Sequence, residues 1–299
     1  NSGSEANEAA LLVTTLNRGS NEVIALRHSY HGRSFVTTGM SQGPWRNSTL
    51  SGLHVQHVGN PYCYRCPWEK TYPSCDLLCA RDVEAVIKTT TTGHPAAFIA
   101  EPIIGAADAA LAPGPGYYEA IRRICDEAGA LFIADEVMSG IGRAGRSFAI
   151  TYWDAIPDII IVGKGLAAGY APLAGILARR SVHDAIFGGP GAFRRGYTYA
   201  APPPTLAIGA TALEIVEREG LIENSAAMGQ RLRAGLEQLA ERHPQILDVR
   251  GHGLMAGFTL GDPSRGEPWP APGAATRLGR LAFERGLIVY PGSGAWDGV

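Results

Sequence analysis

The stretch that most constrains this chain is Asp158-Ile159-Ile160-Ile161-Val162-Gly163-Lys164-Gly165. Four apolar residues in a row, Ile159 to Val162, read as a strand buried on both faces, and the run stops abruptly at the glycines around Lys164. A lysine at the carboxyl end of a buried strand is costly unless it finds a partner or gives up its proton. Desolvated lysines are the ones that attack carbonyls and form Schiff bases. The flanking glycines let a flat partner approach the backbone closely. For a lone lysine, a surface position in a strand-to-loop turn is the commoner outcome, so the surrounding chain decides.

A regular alternation surrounds this strand. Glu22 to Arg27, Ala97 to Ile104, Leu131 to Ala134 and Leu173 to Ala178 read as strands, with helices at Ala80 to Lys88 and at Tyr117 to Ala128, the second ending at Gly129. The pattern predicts an α/β fold, a mostly parallel sheet covered by helices on both faces. Residues 1–219 read as this large domain, and residues 220–299 as part of a smaller α+β C-terminal domain. Helices are expected at Leu206 to Arg218 and Ser225 to Arg242, then two strands, Ile246 to Gly251 and Leu254 to Leu260.

Three side chains stand where apolar runs give out: Glu101, Asp135 and Lys164. Open α/β sheets bind ligands outside the carboxyl ends of their strands, so two carboxylates and an amine can converge on one pocket. Ser2-Gly3-Ser4 looks like a capped helix start whose free amides suit a phosphate, although capping alone accounts for the same residues. Tyr30, beside His31 and Gly32 after a strand, is placed either to stack on a flat ligand or to pack a loop.

A formal net charge of -2 points to neither nucleic acid nor an anionic membrane. No apolar run reaches the roughly 18 residues that span a bilayer, which favours a cytoplasmic location by default. The opening at Asn1 and the close at Trp296 to Val299 read as those of an internal fragment. Gly140-x-Gly142-x-x-Gly145 has the letters of a dinucleotide fingerprint, but residues 135–139 separate it from its strand, and Gly163-Lys164 lacks the remainder of a P-loop. A nicotinamide-dependent oxidoreductase is therefore a minor alternative. Cys63-x-x-Cys66 and Cys75-x-x-x-Cys79 could hold a structural zinc, form bridges or pack as reduced thiols, and no metal is assigned.

Taken in order, Ser2-Gly3-Ser4-Glu5-Ala6, Ser29-Tyr30-His31-Gly32, Glu101-Pro102-Ile103, Asp135-Glu136-Val137, Gly140-x-Gly142-Arg143, Gly163-Lys164-Gly165-Leu166 and Thr198-Tyr199 resemble the class III aminotransferases that use pyridoxal 5'-phosphate. The resemblance runs from Asn1 to about residue 260. It implies the type I fold of pyridoxal-phosphate transferases, with Lys164 holding the cofactor covalently and Asp135 pairing with its ring nitrogen. It implies further cofactor contacts from Gly3 and Ser4 at the phosphate, Tyr30 and Val137 on the two ring faces, and His31, Glu101 and Met138 nearby. Thr198 would reach the phosphate in the partner subunit of a homodimer with shared active sites. A buried carboxylate keeps the ring nitrogen protonated, which the electron-sink chemistry requires.

Departures from the family pattern bear on substrate. Ala106 stands where ornithine and 4-aminobutyrate enzymes carry a gating glutamate, Met138 where many relatives have glutamine, and Pro202-Pro203 where His-Pro is usual. These resemble enzymes that pass an amino group from an amine or ω-amino acid to a 2-oxo acid such as pyruvate. The Pro61-Tyr62-Cys63-Tyr64-Arg65-Cys66-Pro67 segment is similar to the same group. A decarboxylase, aminomutase or racemase of the same fold, or a non-catalytic relative, would keep many of these residues. The family's N-terminal segment and C-terminal end, with the arginine that receives the substrate carboxylate, are expected outside this sequence.

Overall fold

The computed structural model describes residues 1–41, 52–188, 193, 196–269 and 273–292. The closing residues Trp296 to Val299 and residues 42–51 lie outside them. Strands β1 (Glu22–Leu26), β2 (His54–Val58), β3 (Ala97–Ala100), β4 (Leu131–Asp135), β5 (Ile159–Val162) and β6 (Gly175–Ala178) form one sheet. Its order is β2-β1-β3-β4-β5-β6, parallel throughout except for the antiparallel edge strand β6.

Alternation along each central strand sends side chains into two separate cores. Ile24, Leu26, Phe98, Ala100, Phe132 and Ala134 pack on one face, with helices α2 (Leu78–Thr90) and α3 (Tyr117–Ala128). Val23, Ala25, Ala97, Ile99, Ile133, Ile159 and Ile161 pack on the other. That face is covered by α1 (Gly3–Arg18) and α4 (Arg180–Gly188), the latter not foreseen from the pattern. Helix α3 packs through Tyr118, stacked on Phe132 at 5.7 Å and edge-on to Trp153 at 5.0 Å.

Beyond the sheet, α5 (Pro203–Arg218) and α6 (Leu221–Arg242) begin three and four residues earlier than their periodicity suggested. Gly220, with φ of 59°, turns one into the other. A small antiparallel sheet of β7 (Ile246–His252), β8 (Met255–Asp262) and β9 (Glu267–Pro268) follows, then α7 (Ala274–Phe283). Among the described residues no helix is long and apolar enough to cross a membrane.

Gly140 to Gly145 is where this second part of the chain seats itself. A Cβ at Gly145 would lie 3.0 Å from the Ala226 backbone, and one at Gly142 would lie 2.9 Å from Ile222, both on α6. The turn after β7 closes the contact, since Leu254 N–H donates to Arg143 O at 3.0 Å and Ser225 Oγ donates to the same carbonyl at 2.9 Å. These glycines therefore permit close packing of protein on protein.

Strand β6 starts two residues later than the pattern predicts and β1 ends one residue sooner, but β3 is the most shortened. The apolar run predicts a continuous strand from Ala97 to Ile104, yet β3 stops at Ala100, because Pro102 has no N–H for the ladder. Ile104 pairs instead with Leu111 across a loop.

All five cysteines are free thiols. Burial pushes Cys79 and Cys125 up to about 12, so both stay protonated at neutral pH. Among the described residues no group of three His, Cys, Asp or Glu side chains gathers in metal-binding geometry.

Candidate active site

Odd-numbered residues of β3 and β4 face α1, so Asp135 and, just past its strand, Glu101 emerge on the α1 side at the carboxyl edge of the sheet. The start of α1 lies at the same edge. Ser2 caps it, its side chain accepting from Glu5 N–H at 3.3 Å, and the first-turn amides border a cavity of about 330 Å³. Lining that cavity are Gly3, Ser4, Tyr30, His31, Glu101, Asp135, Val137, Met138 and Lys164, nine of the ten predicted site residues. The tenth, Thr198, lies on an exposed segment outside it.

Asp135 is 3% exposed, and its carboxylate is held from three directions. Asn7 Nδ2 donates to Oδ2 at 3.0 Å, His31 Nδ1 meets the same oxygen at 2.8 Å, and Val137 N–H donates to Oδ1 at 3.1 Å. Asn7 was not singled out in the sequence. Its spacing carried the signal, since position i+4 from Gly3 shares that residue's helix face, and Nδ2 also donates to Gly3 O at 3.0 Å.

Glu101 does a different job. Its Oε1 accepts from Tyr30 N–H at 3.0 Å and its Oε2 from Gly105 N–H at 3.1 Å, tying two loops to the strand end. Burial pushes its carboxyl up to about 7, with His31 pulling the other way and Asp135 adding to the rise. Tyr30 itself is half-buried, with the Arg33 guanidinium 5.8 Å from its ring centroid.

Lys164 departs from expectation in one respect. The buried strand suggested a desolvated lysine, but the side chain is exposed at the cavity, because β5 ends at Val162 and the chain turns at once into a short 3₁₀ segment, Lys164–Ala167. Its φ of 40° is left-handed, a strained conformation for a residue with a side chain, and such outliers concentrate at functional sites.

The residues present suit pyridoxal phosphate. His31 Nε2 and Asn7 Oδ1 are buried with no hydrogen-bond partner, so the cavity wall holds polar atoms that the protein alone leaves unmatched. Gly3 keeps a cradle open, since a Cβ there would lie 3.1 Å from Val137 Cγ1. Helix amides for an anion, a carboxylate for a ring nitrogen and an amine for a carbonyl border one space.

The profile of the family described as aminotransferase class-III matches residues 1–293. Among individual proteins, the chain is 37% identical to an uncharacterized aminotransferase, YodT, of Bacillus subtilis, over 99% of this chain and 69% of that protein. It is 33% identical to a taurine–pyruvate aminotransferase of Bilophila wadsworthia, over 97% of this chain and 66% of that protein. Among solved structures, an amine transaminase from an uncultivated Pseudomonas species in its PLP-bound form superposes with a TM-score of 0.90 at 33% identity. That match covers 97% of this chain and 68% of the other. The chain thus spans about two thirds of the length of these relatives.

Proposed function

The chain belongs to the aminotransferase class-III family and has the type I fold of pyridoxal-phosphate enzymes, and from that premise we propose that the protein transfers an amino group from an amine or ω-amino acid to a 2-oxo acid such as pyruvate. The observation that carries the reading is that Lys164 and Asp135, from neighbouring strand ends, border the same cavity. When bound, pyridoxal phosphate supplies an electron sink for the carbon next to the amino group.

The chain's own residues then divide the work. Asp135, fixed by Asn7, His31 and the Val137 amide, would keep a proton on the ring nitrogen. Gly3 and Ser4 would hold the phosphate at the start of α1, with Tyr30 and Val137 on the two ring faces. Lys164 Nζ would anchor the cofactor and, when released, take the proton from the carbon that carries the substrate's amino group.

Ala106 in place of a gating glutamate, and a wall of Met138, Ala171, Pro172 and Leu173, support a donor without an α-carboxylate. The similarity to the taurine–pyruvate aminotransferase of Bilophila wadsworthia supports pyruvate as acceptor. A homodimer with shared sites, Thr198 reaching the partner's phosphate, belongs to the same reading, as does a cytoplasmic location. The homodimer is supported by Tyr170 and Tyr199, which stand 84% and 74% exposed in this single chain.

The test is an absorption spectrum of the full-length protein before and after borohydride, followed by peptide mapping. Reductive labelling on Lys164 is expected, and labelling elsewhere would overturn the assignment. Product analysis with an amine donor and pyruvate separates transamination from decarboxylation, amino-group migration or racemisation.

A further inference from the structure

We infer that Arg250, on the small antiparallel sheet, is a positioning residue for the cavity, acting through Asp108 and Asn60 on the segment that carries Tyr30 and His31. The inference rests on the proposed cofactor reading for what Tyr30 and His31 face.

Arg250 is 7% exposed, and its guanidinium is bonded at all three nitrogens. Within the small sheet, Nη1 donates to Asp248 Oδ2 at 2.9 Å and Thr259 Oγ1 at 3.0 Å. The other two nitrogens leave it: Nε at 3.2 Å and Nη2 at 3.0 Å both donate to the backbone carbonyl of Asp108. A rigid guanidinium fork converging on one carbonyl fixes direction as well as distance.

The carbonyl it grips belongs to a strained loop. Residues 105–110 are pinched off by the Ile104–Leu111 bridge, and Ala109 and Ala110 have φ of 44° and 65°, left-handed values that alanine rarely adopts. Such strain persists only where surrounding structure over-determines it. Arg250 is one constraint, and β8 is another, since a Cβ at Gly257 would lie 2.3 Å from Ala109 O.

From the loop the chain of bonds turns toward the cavity. Asp108 is 1% exposed, and its Oδ2 accepts from Asn60 Nδ2 at 2.9 Å and lies 3.3 Å from His28 Nδ1. Asn60 grips both sides of residue 28, accepting from His28 N–H at 2.9 Å and donating to His28 O at 2.8 Å. Two residues on is Tyr30, whose amide is fixed by Glu101, and then His31, which holds Asp135. The base of the strained loop is fixed by the same Glu101 through Gly105. Movement of the small sheet against the large one would therefore be felt at His28 through Asn60 and at the Tyr30 amide through Glu101.

The experiment uses full-length protein, and compares Arg250→Met, Arg250→Lys and Asn60→Ala with Tyr62→Phe. The last removes a 2.6 Å bond to Asp248 in the same cluster but leaves the link to Asp108 intact. Three readouts are taken: affinity of the apoprotein for pyridoxal phosphate, visible circular dichroism of the bound cofactor, and apoprotein Tm. Arg250→Met and Asn60→Ala are each expected to weaken affinity by about tenfold and alter the dichroism, with less than additive effects when combined. Arg250→Lys should fall between Met and wild type, while Tyr62→Phe should lower Tm alone. Should Arg250→Met fail to fold, Asn60→Ala and Arg250→Lys carry the same test. Unchanged affinity and dichroism in these two, or additive effects in the double variant, would overturn the inference. A wild-type protein that binds no pyridoxal phosphate would bring down the cofactor reading as well, an outcome distinct from loss in the variants only.

Discussion

Asn7 and Asp135 show what one missed side chain contributes. Removing a donor from a buried carboxylate costs about 1.5–3 kcal/mol, more than a neutral bond, because the acceptor is left desolvated. Asn7→Ala is expected to lower the urea-unfolding free energy by that amount, and by much less in an Asp135→Ala background. Equal losses in the two backgrounds would mean that the 3.0 Å bond is not what Asn7 provides. Glu101 makes a prediction with a pH axis. Its carboxyl is raised from 4.5 to about 7, so the fold holds the proton more tightly than the unfolded chain does. That contribution is fully present below pH 4.5 and is lost as pH rises through about 7. Glu101→Gln loses one amide acceptor at every pH, so its stability deficit should be largest in acid and shrink between pH 4.5 and 7. Urea denaturation at half-unit steps measures it, and a deficit that grows with pH would be the wrong sign.

At the level of elements, glycines distinguish a turn from a docking surface. Gly19 ends α1 with φ of 64° and nothing within 4 Å of a would-be Cβ, whereas a Cβ on Gly253, φ 53°, would lie 2.3 Å from the Ala144 backbone. Gly19→Ala should therefore cost only the left-handed conformation, about 1–2 kcal/mol. Gly253→Ala adds a clash with main chain that no rotamer relieves, and should cost about 1–3 kcal/mol more. Guanidinium unfolding compares the two, and equal losses would argue that the small sheet does not seat on Gly140 to Gly145. Elements also explain the convergence at the site. Strand alternation puts Asp135 on the α1 side, and the start of α1 lies at that same edge, so the first-turn amides and the carboxylate meet at one cavity without any loop having to reach across.

Across the whole molecule, the junction between the two sheets carries a titratable group. His252 ends β7 with its ring 4.3 Å from that of Tyr152, which also lies beneath the Arg146 guanidinium at 4.1 Å. Burial, then Arg233 and Arg146, lower its pKa from 6.5, so the fold prefers the neutral ring. Its contribution is present above pH 6.5 and is lost as pH falls through the lowered value. His252→Phe should flatten the acid limb of a Tm-against-pH curve, and an unchanged limb would exclude this junction as its source.

What was legible in the residues, and what was not, follows the same division by range. Local signals were enough for α3, β4 and β5, for the capped start of α1 and for the family motifs around Lys164, because apolar runs, caps and left-handed glycines act within a few positions. The end of β3 at Ala100 was within reach too, since Pro102 marks it, yet the apolar residues beyond masked the break. Tertiary structure alone decided that Asn7 would hold Asp135, 128 positions away, that Lys164 would stand exposed at the cavity, and that Gly140 to Gly145 would receive α6. The physical reason is that a hydrogen bond or a close backbone approach depends on where two distant segments come to rest, and the pattern of either segment alone records only what it must bury.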